Sequence, residues 1–124
     1  SPVIALFGAA GGKAQERREQ LPREAAPYSD LMIFTNEDPA REDPMKVCRE
    51  LAENVPDDTP NKIILDREAA FKAAREEYIN PDAPTIVLLL AKGDEELMHV
   101  GDEFVPIESD LSLAHRLIDV TQFD

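Results

Sequence analysis

The chain has 124 residues, 43% of them hydrophobic, which suits one domain with a single buried core. It carries 26 acidic and 13 basic residues, for a net charge of -13. Binding to DNA, RNA or an anionic membrane requires clustered positive charge, because neutralised phosphates release counterions. The composition therefore argues against nucleic-acid and membrane partners, and the acidity is also explained as a solubility feature.

The cysteine content and the chain ends bear on the cellular setting. Cys48 is the one cysteine, and no apolar run reaches the length of a signal or transmembrane segment. Since one cysteine cannot form an internal disulfide, we expect a cytoplasmic protein in a reducing compartment, with Cys48 in the core. The chain opens Ser1-Pro2-Val3 without an initiator methionine, so we expect residues 1–124 to be one domain of a longer protein.

A short apolar run predicts a first strand at residues 3–7, followed by a glycine-rich turn over 8–14 and a helix over 15–26. Backbone amides in such a turn can approach an anion, and a helix N-terminus favours it. The turn departs from a Walker loop, which requires glycine in place of Phe7 and serine or threonine in place of Ala14. It also lacks the glycine spacing of dinucleotide-binding turns.

Basic side chains around this turn leave two interpretations open. Lys13, Arg17 and Arg18 are placed to contact a phosphate that another domain mainly holds. Alternatively, the segment is a tight turn followed by the solvated basic start of a helix.

An acidic run with two prolines follows the second predicted strand, residues 31–34. Residues 35–44 read Thr-Asn-Glu-Asp-Pro-Ala-Arg-Glu-Asp-Pro at the expected carboxyl end of that strand, where open α/β sheets bind ligands. Because the run is rich in carboxylates, it repels phosphate and suits a ligand that carries an ammonium group. Asp43 is placed to cap a helix predicted over residues 44–55, which begins at Pro44.

The next elements are a third strand, predicted at residues 63–65, and a helix predicted over 67–78. Asp66 precedes that helix as an N-cap residue. The fourth predicted strand, residues 85–90, ends in the polar turn 91–96. If the strands are parallel, this turn lies beside the acidic run.

Carboxylates from the two segments would then form a pocket for an ammonium group, with one lysine balancing charge or touching phosphate: Glu37, Asp38, Glu95 and Lys92. The alternative interpretation is that Asp38 caps a turn before the following proline and that Glu95 is solvated. These residues alone do not decide between the two.

The rest of the chain predicts a hairpin and a final helix, at residues 97–100 with 104–107 and at residues 109–120. Alternating strands and helices, with continuously apolar strands, predict an α/β fold. We expect a three-layer Rossmann-like domain with a mostly parallel sheet, a C-terminal β-hairpin and helices on both faces. His99 and His115 lie on separate elements with no cysteine nearby, so we expect no metal site.

The order of these motifs resembles the C-terminal domain of the Mur ligases, and within them the MurE-type enzymes that add the third amino acid to the peptidoglycan precursor. The similar segments span nearly the whole chain: residues 3–12, 35–44, 66–70, 91–95 and 101–109. The most distinctive is Glu37-Asp38-Pro39-Ala40, which is similar to the family's Asp-Asn-Pro-Arg specificity loop.

The resemblance implies an ATP-dependent amide ligase in which other domains supply the phosphate loop, the magnesium ligands, a modified lysine and the UDP-sugar peptide site. ATP and Mg2+ would be the cofactors, held mainly by a central domain. UDP-MurNAc-L-Ala-D-Glu and L-lysine, or meso-diaminopimelate, would be the substrates. The domain seen here would bind the amino acid, close over the nucleotide and have no activity by itself. We expect a monomeric bacterial enzyme.

The resemblance also implies roles for named positions. Six would line the amino-acid site, where the carboxylates hold ammonium groups: Glu37, Asp38, Ala40, Arg41, Gly93 and Glu95. Three basic positions would lie near phosphate, the first of them where the family has an arginine: Lys13, Arg17 and Lys92.

Departures from the family pattern bear on the choice of amino acid. The family's loop arginine, which would pair with a distal carboxylate of diaminopimelate, is Ala40 here. This favours L-lysine, which has no such carboxylate. Arg41 leaves diaminopimelate open if the loop is shifted by one position. Lys13, Glu37 and Asp38 also depart from the commoner residues, which leaves a divergent ligase open.

A receiver-like or nucleotide-sensing binding module is the alternative from another class, because its length and α/β alternation are similar. Such a module carries a phosphoacceptor aspartate at the end of its first strand. That place here holds Gly8-Ala9-Ala10. We therefore interpret the sequence as the amino-acid-binding domain of a lysine-adding Mur ligase.

Overall fold

The structure, a computed structural model, describes residues 3–9, 17–37, 40–77, 86–90, 97–109 and 112–113. The strands of its larger sheet are β1 (Val3–Phe7), β2 (Leu31–Phe34), β3 (Asn61–Ile63) and β4 (Ile86–Leu90). The helices are α1 (Arg17–Ala25), α2 (Pro44–Glu53) and α3 (Arg67–Glu77). A hairpin is formed by β5 (Leu97–Val100) and β6 (Glu103–Pro106). No helix in these ranges is long and apolar enough to cross a lipid bilayer.

All four strands of the larger sheet are parallel, in the order β3-β2-β1-β4. The pairing of β1 with β2 ends at Phe7 and Phe34, whose rings meet edge to face with centroids 5.3 Å apart. The hairpin is a separate antiparallel sheet. The predicted mostly parallel sheet with a C-terminal hairpin is therefore confirmed.

Successive side chains of a strand point to opposite faces of the sheet. Both faces are apolar here, and each is covered by helices. On one face, apolar side chains of β1 and β2 pack with α2: Ala5, Phe7, Met32, Phe34, Val47, Cys48 and Leu51. On the other face they pack with α3: Ile4, Leu6, Leu31, Ile33, Ala70, Phe71 and Ala74. This arrangement confirms the three-layer α/β fold.

The third strand lies two residues earlier than predicted, at Asn61–Ile63 rather than 63–65. The reason is that apolar spacing reports burial, whereas the strand is defined by its hydrogen-bonded ladder. Ile64 and Leu65 follow the ladder and still pack against the two cores. The predicted helix over residues 109–120 falls mostly outside the described ranges, which include helix at residues 112–113.

The strand order changes direction between β1 and β4, because β2 and β3 extend the sheet on one side of β1 and β4 lies on the other. In open α/β sheets, ligands bind at the carboxyl ends of the strands beside such a reversal. The end of β2, which carries the acidic run, is next to β1 at this edge. Residues 10–16 and 91–96, which follow β1 and β4, lie outside the described ranges.

Candidate functional site at the carboxyl edge of the sheet

Hydrogen bonds hold the chain in place where β2 ends. Thr35 is 1% exposed; its amide donates to the Phe7 carbonyl at 3.0 Å, and its hydroxyl donates to the Leu65 carbonyl at 3.0 Å. The Asn36 amide donates to the same Leu65 carbonyl at 3.2 Å. The backbone just before Glu37 is therefore tied to the last residue of β1 and to Leu65, which follows β3.

Gly8 allows the closest approach at this edge. A β-carbon at Gly8 would lie 2.3 Å from the Thr35 carbonyl oxygen and 3.0 Å from the Glu37 β-carbon. Real side chains do not tolerate such distances, so the position requires glycine. Glu37 consequently begins the acidic run directly against the turn that follows β1.

The acidic run then contacts the tip of the hairpin. Ala40 has a positive φ of 53°, which is uncommon for a residue with a side chain. Its carbonyl accepts a 2.6 Å hydrogen bond from the Gly101 amide, and Ala40 forms an isolated bridge with Val100. The hydrogen bond offsets the cost of the left-handed backbone and fixes the loop to the hairpin.

Arg41 adds a charged contact beside that backbone bond. Its Nε donates to Asp102 Oδ1 at 2.9 Å, and its Nη2 donates to Asp102 Oδ2, so the pair is bidentate. Both side chains are exposed, at 75% for Arg41 and 73% for Asp102. The Nε–Nη2 edge of the Arg41 guanidinium is therefore paired with a carboxylate of the hairpin.

A buried arginine anchors the other end of the run. Arg18 of α1 is 3% exposed and donates to both carboxylate oxygens of Glu42, at 2.9 and 2.7 Å. It also donates to Glu50 of α2 at 2.5 Å. Hydrogen bonding to Glu42 is the main cause that raises the pKa of Arg18, while burial opposes it. The guanidinium is therefore a fixed cation that joins α1, the run and α2.

Both neighbouring helices are capped as the sequence predicted. The Asp43 carboxylate accepts from the Met45 amide at 3.0 Å, at the start of α2. The Asp66 carboxylate accepts from the Ala69 amide at 2.9 Å, at the start of α3. These bonds satisfy amides of the first helical turns, and they fix where each loop ends.

A cleft of about 430 Å³ opens on the β3 side of this edge, between the start of α3 and the hairpin. Arg67 is 9% exposed and donates to the Asn36 carbonyl at 2.8 Å. Glu68 and Glu108 line the cleft together with apolar side chains such as Met98. The lining thus combines carboxylates, one guanidinium and apolar surface.

Of the predicted site residues, three have described side chains: Glu37, Ala40 and Arg41. They lie on one loop at the carboxyl edge, as expected. Arg17 is the first residue of α1, and its side chain is not described. The remaining predicted residues lie outside the described ranges: Lys13, Asp38, Lys92, Gly93 and Glu95.

Sequence reasoning missed the residues that hold the loop in shape. The sequence placed Arg18 near phosphate or on a solvated helix start, and the structure supports neither, since this residue is buried and paired with Glu42 and Glu50. The usable signal was the apolar residues Pro22 and Ala26, which follow Arg18 at intervals of four and mark the inner side of its helix. No sequence signal pointed to Asp102, since it lies 61 positions from its partner Arg41. Within the described ranges, no three His, Cys, Asp or Glu side chains cluster as a metal site would require.

Comparison with known proteins identifies the family. A family model described as Mur ligase, glutamate ligase domain, matches residues 1–93. A solved structure of a UDP-N-acetylmuramoyl-L-alanyl-D-glutamate–2,6-diaminopimelate ligase superimposes with a TM-score of 0.81 at 22% identity, covering 98% of this chain and 24% of that one. At this identity the likeness supports the fold.

Two relatives differ in the amino acid that their names give. The chain is 31% identical over 117 residues to the UDP-N-acetylmuramoyl-L-alanyl-D-glutamate–L-lysine ligase of Enterococcus faecalis, covering 94% of this chain and 23% of that protein. It is also 31% identical over 98 residues to the UDP-N-acetylmuramoyl-L-alanyl-D-glutamate–2,6-diaminopimelate ligase of Aquifex aeolicus. That match covers 79% of this chain and 20% of that protein. The chain thus spans less than a quarter of their lengths. It belongs to the Mur ligase, glutamate ligase domain family.

Proposed function

We propose that this chain is the amino-acid-binding domain of an ATP-dependent ligase that adds L-lysine to UDP-MurNAc-L-Ala-D-Glu in peptidoglycan precursor synthesis. The observation that carries the proposal is the position of the acidic run. In a domain of this family, the run lies at the carboxyl edge of the sheet beside the strand-order reversal, where α/β sheets bind ligands. The similarity to the Enterococcus faecalis lysine ligase supports it.

In the proposed reaction, the γ-phosphoryl group of ATP is transferred to the carboxylate of the dipeptide substrate, and ADP leaves. The amine of the incoming amino acid then attacks the acyl carbon, and inorganic phosphate leaves as the amide forms. ATP and Mg2+ would be held mainly by other domains of the cytoplasmic parent protein. This domain would present the amino acid and exclude water from the acyl phosphate.

The proposed roles follow the charges at the edge. Glu37 would bind an ammonium group of the amino acid, since its backbone is fixed by the contact with Gly8. Asp38 and Glu95 would complete that pocket, with Gly93 in its wall. The basic residues Lys13, Arg17 and Lys92 would approach phosphate on domain closure.

Two features support lysine over diaminopimelate. Ala40 carries no charge, and the guanidinium of Arg41 is paired with Asp102. In the described part of the loop, the one arginine therefore has its charge partly neutralised and its Nε–Nη2 edge already paired with a carboxylate. The similarity to the Aquifex aeolicus diaminopimelate ligase supports the second candidate, a diaminopimelate-adding enzyme.

The test is phosphate release by the full-length protein that carries this domain, with ATP, Mg2+ and UDP-MurNAc-L-Ala-D-Glu. L-lysine and meso-diaminopimelate are compared in parallel. A higher kcat/KM with lysine is the expected result. A preference for diaminopimelate would replace the lysine assignment with the second candidate, and no release with either amino acid would contradict both.

A further inference from the structure

The contact between the acidic run and the hairpin has a consequence for substrate choice. Three links hold the two segments together: the Gly101–Ala40 hydrogen bond, the Ala40–Val100 bridge and the bidentate Arg41–Asp102 pair. The first two involve backbone and fix the position of the loop. The third pairs the cationic side chain of Arg41, the residue after Ala40, with a carboxylate.

L-Lysine and 2,6-diaminopimelate differ by one carboxylate. An arginine with an available guanidinium at this loop would bind that carboxylate through two parallel hydrogen bonds, the geometry that Arg41 already makes with Asp102. Asp102 therefore accepts from two of the five guanidinium N–H groups and partly neutralises the charge that would attract a substrate carboxylate. The side chains of Arg41 and Asp102 are 75% and 73% exposed, so both are well hydrated. If one of them is removed, the other remains in contact with water.

We propose that Asp102 is a specificity-determining residue that disfavours diaminopimelate by occupying the guanidinium of Arg41. This inference rests on the proposed function. It places selectivity partly in the hairpin, outside the acidic run itself. It also assigns Arg41 a conditional role: the side chain braces the hairpin while Asp102 is present and can bind a carboxylate when Asp102 is absent.

The test measures kcat/KM for both amino acids in the full-length ligase carrying Asp102→Asn. The amide keeps the shape of the side chain but removes its charge. We expect the ratio of diaminopimelate to lysine efficiency to rise about threefold, because an exposed ion pair holds the guanidinium only weakly. In the double variant Asp102→Asn with Arg41→Gln, the ratio should return to the wild-type value.

The matched control is Glu103→Gln, which removes the same charge from the adjacent exposed position of the hairpin. It should leave the ratio unchanged. A rise equal to that of Asp102→Asn would show a general effect of charge and would overturn the inference.

The remaining outcomes separate the inference from the proposed function. Suppose that wild type prefers lysine and that Asp102→Asn leaves the ratio unchanged or raises both KM values equally. Asp102 then only braces the hairpin, so this inference is wrong while the proposed function stands. If wild type prefers diaminopimelate or is inactive with both, the lysine assignment and the inference fall together. Asp102→Ser, measured in the same way, covers a loss of folding in the asparagine variant.

Discussion

Arg18 and Glu42 form a two-pronged ion pair between helix α1 and the residue before the cap of α2. Nη1 donates to Oε2 at 2.9 Å and Nη2 to Oε1 at 2.7 Å. The side chains are 4% and 18% exposed. The pair thus lies in a largely dehydrated position, where an arginine fork matches a carboxylate better than a lysine ammonium does.

Replacing Arg18 with alanine should lower the free energy of unfolding by about 3 kcal/mol, because Glu42 and Glu50 would remain close together with their shared cation removed. Urea unfolding of the domain measures the loss. Arg18→Lys should recover only part of it, since one ammonium cannot make the parallel bonds.

The control for this prediction is Arg23→Ala, which removes the ion pair between Arg23 and Glu19. The Arg23 side chain is 59% exposed and the Glu19 side chain 58% exposed. That loss should stay below about 1 kcal/mol. Equal losses at Arg18 and Arg23 would contradict a structural role for the buried pair.

Gly8→Ala should destabilise the domain by about 2 kcal/mol, because the new β-carbon would lie 2.3 Å from the Thr35 carbonyl oxygen and must displace the end of β2. Thermal unfolding measures the effect. In the proposed ligase reaction of the full-length protein, the same change should raise KM for the amino acid, since Glu37, the proposed ammonium ligand, lies at the same contact.

Gly101→Ala provides the comparison. A β-carbon there meets nothing within 4 Å, but its φ of +61° strains any other residue, so a loss of about 1 kcal/mol is expected. A tolerated alanine at Gly8, with a larger loss at Gly101, would show that the approach of the first turn to Thr35 is not close.

The thiol of Cys48 makes stability depend on pH above neutrality. Burial raises its pKa to about 11, whereas the unfolded chain ionises near the ordinary value of 9.0. The unfolded state therefore loses the proton first as pH rises. The contribution of the neutral thiol to the free energy of unfolding is fully present below the pKa of the unfolded chain. It is lost progressively between about pH 9 and pH 11.

Urea midpoints for wild type and Cys48→Ala at pH 7, 9 and 10.5 test this dependence. The variant lacks the thiol, so its midpoint should fall less steeply with pH, although the new cavity lowers its value at every pH. Parallel curves for the two proteins would show that the Cys48 thiol does not contribute.

In the full-length protein, assayed for the proposed ligase reaction, Glu37→Lys should raise KM for the amino acid about tenfold and leave KM for ATP nearly unchanged, because the charge reversal repels the ammonium group that the carboxylate would hold. Steady-state phosphate release measures both constants. Equal effects on the two constants would contradict the proposed role of Glu37.

Glu53→Lys is the matched control for that charge reversal. Glu53 is exposed at the last position of α2, whereas the acidic run ends at Pro44, the first residue of this helix. The substitution therefore changes net charge equally at the opposite end of the helix, and neither KM should change.

Much of the fold could be predicted because its signals are local. The apolar runs at 3–7 and 31–34 and the capping residues Asp43 and Asp66 report structure within a few positions. The candidate site was located through the order of its motifs along the chain.

Its supporting contacts could not be predicted, because they join distant positions. Arg18 reaches Glu42 across 24 positions and Arg41 reaches Asp102 across 61. Charged residues are common on solvated surfaces, so neither pair is distinctive in sequence. Only the relative placement of α1, the run and the hairpin brings these groups together.

The central place of β1 has a consequence for synthesis of the protein. β1 is synthesised well before its partner β4, which begins at Ile86, the residue that pairs with Val3. At typical elongation rates this leaves one edge of β1 unpaired for on the order of 5–15 s. During that interval the apolar sequence Val-Ile-Ala-Leu-Phe exposes free amides and carbonyls. We expect nascent chains that stop before residue 86 to bind chaperones more than chains that extend beyond residue 90.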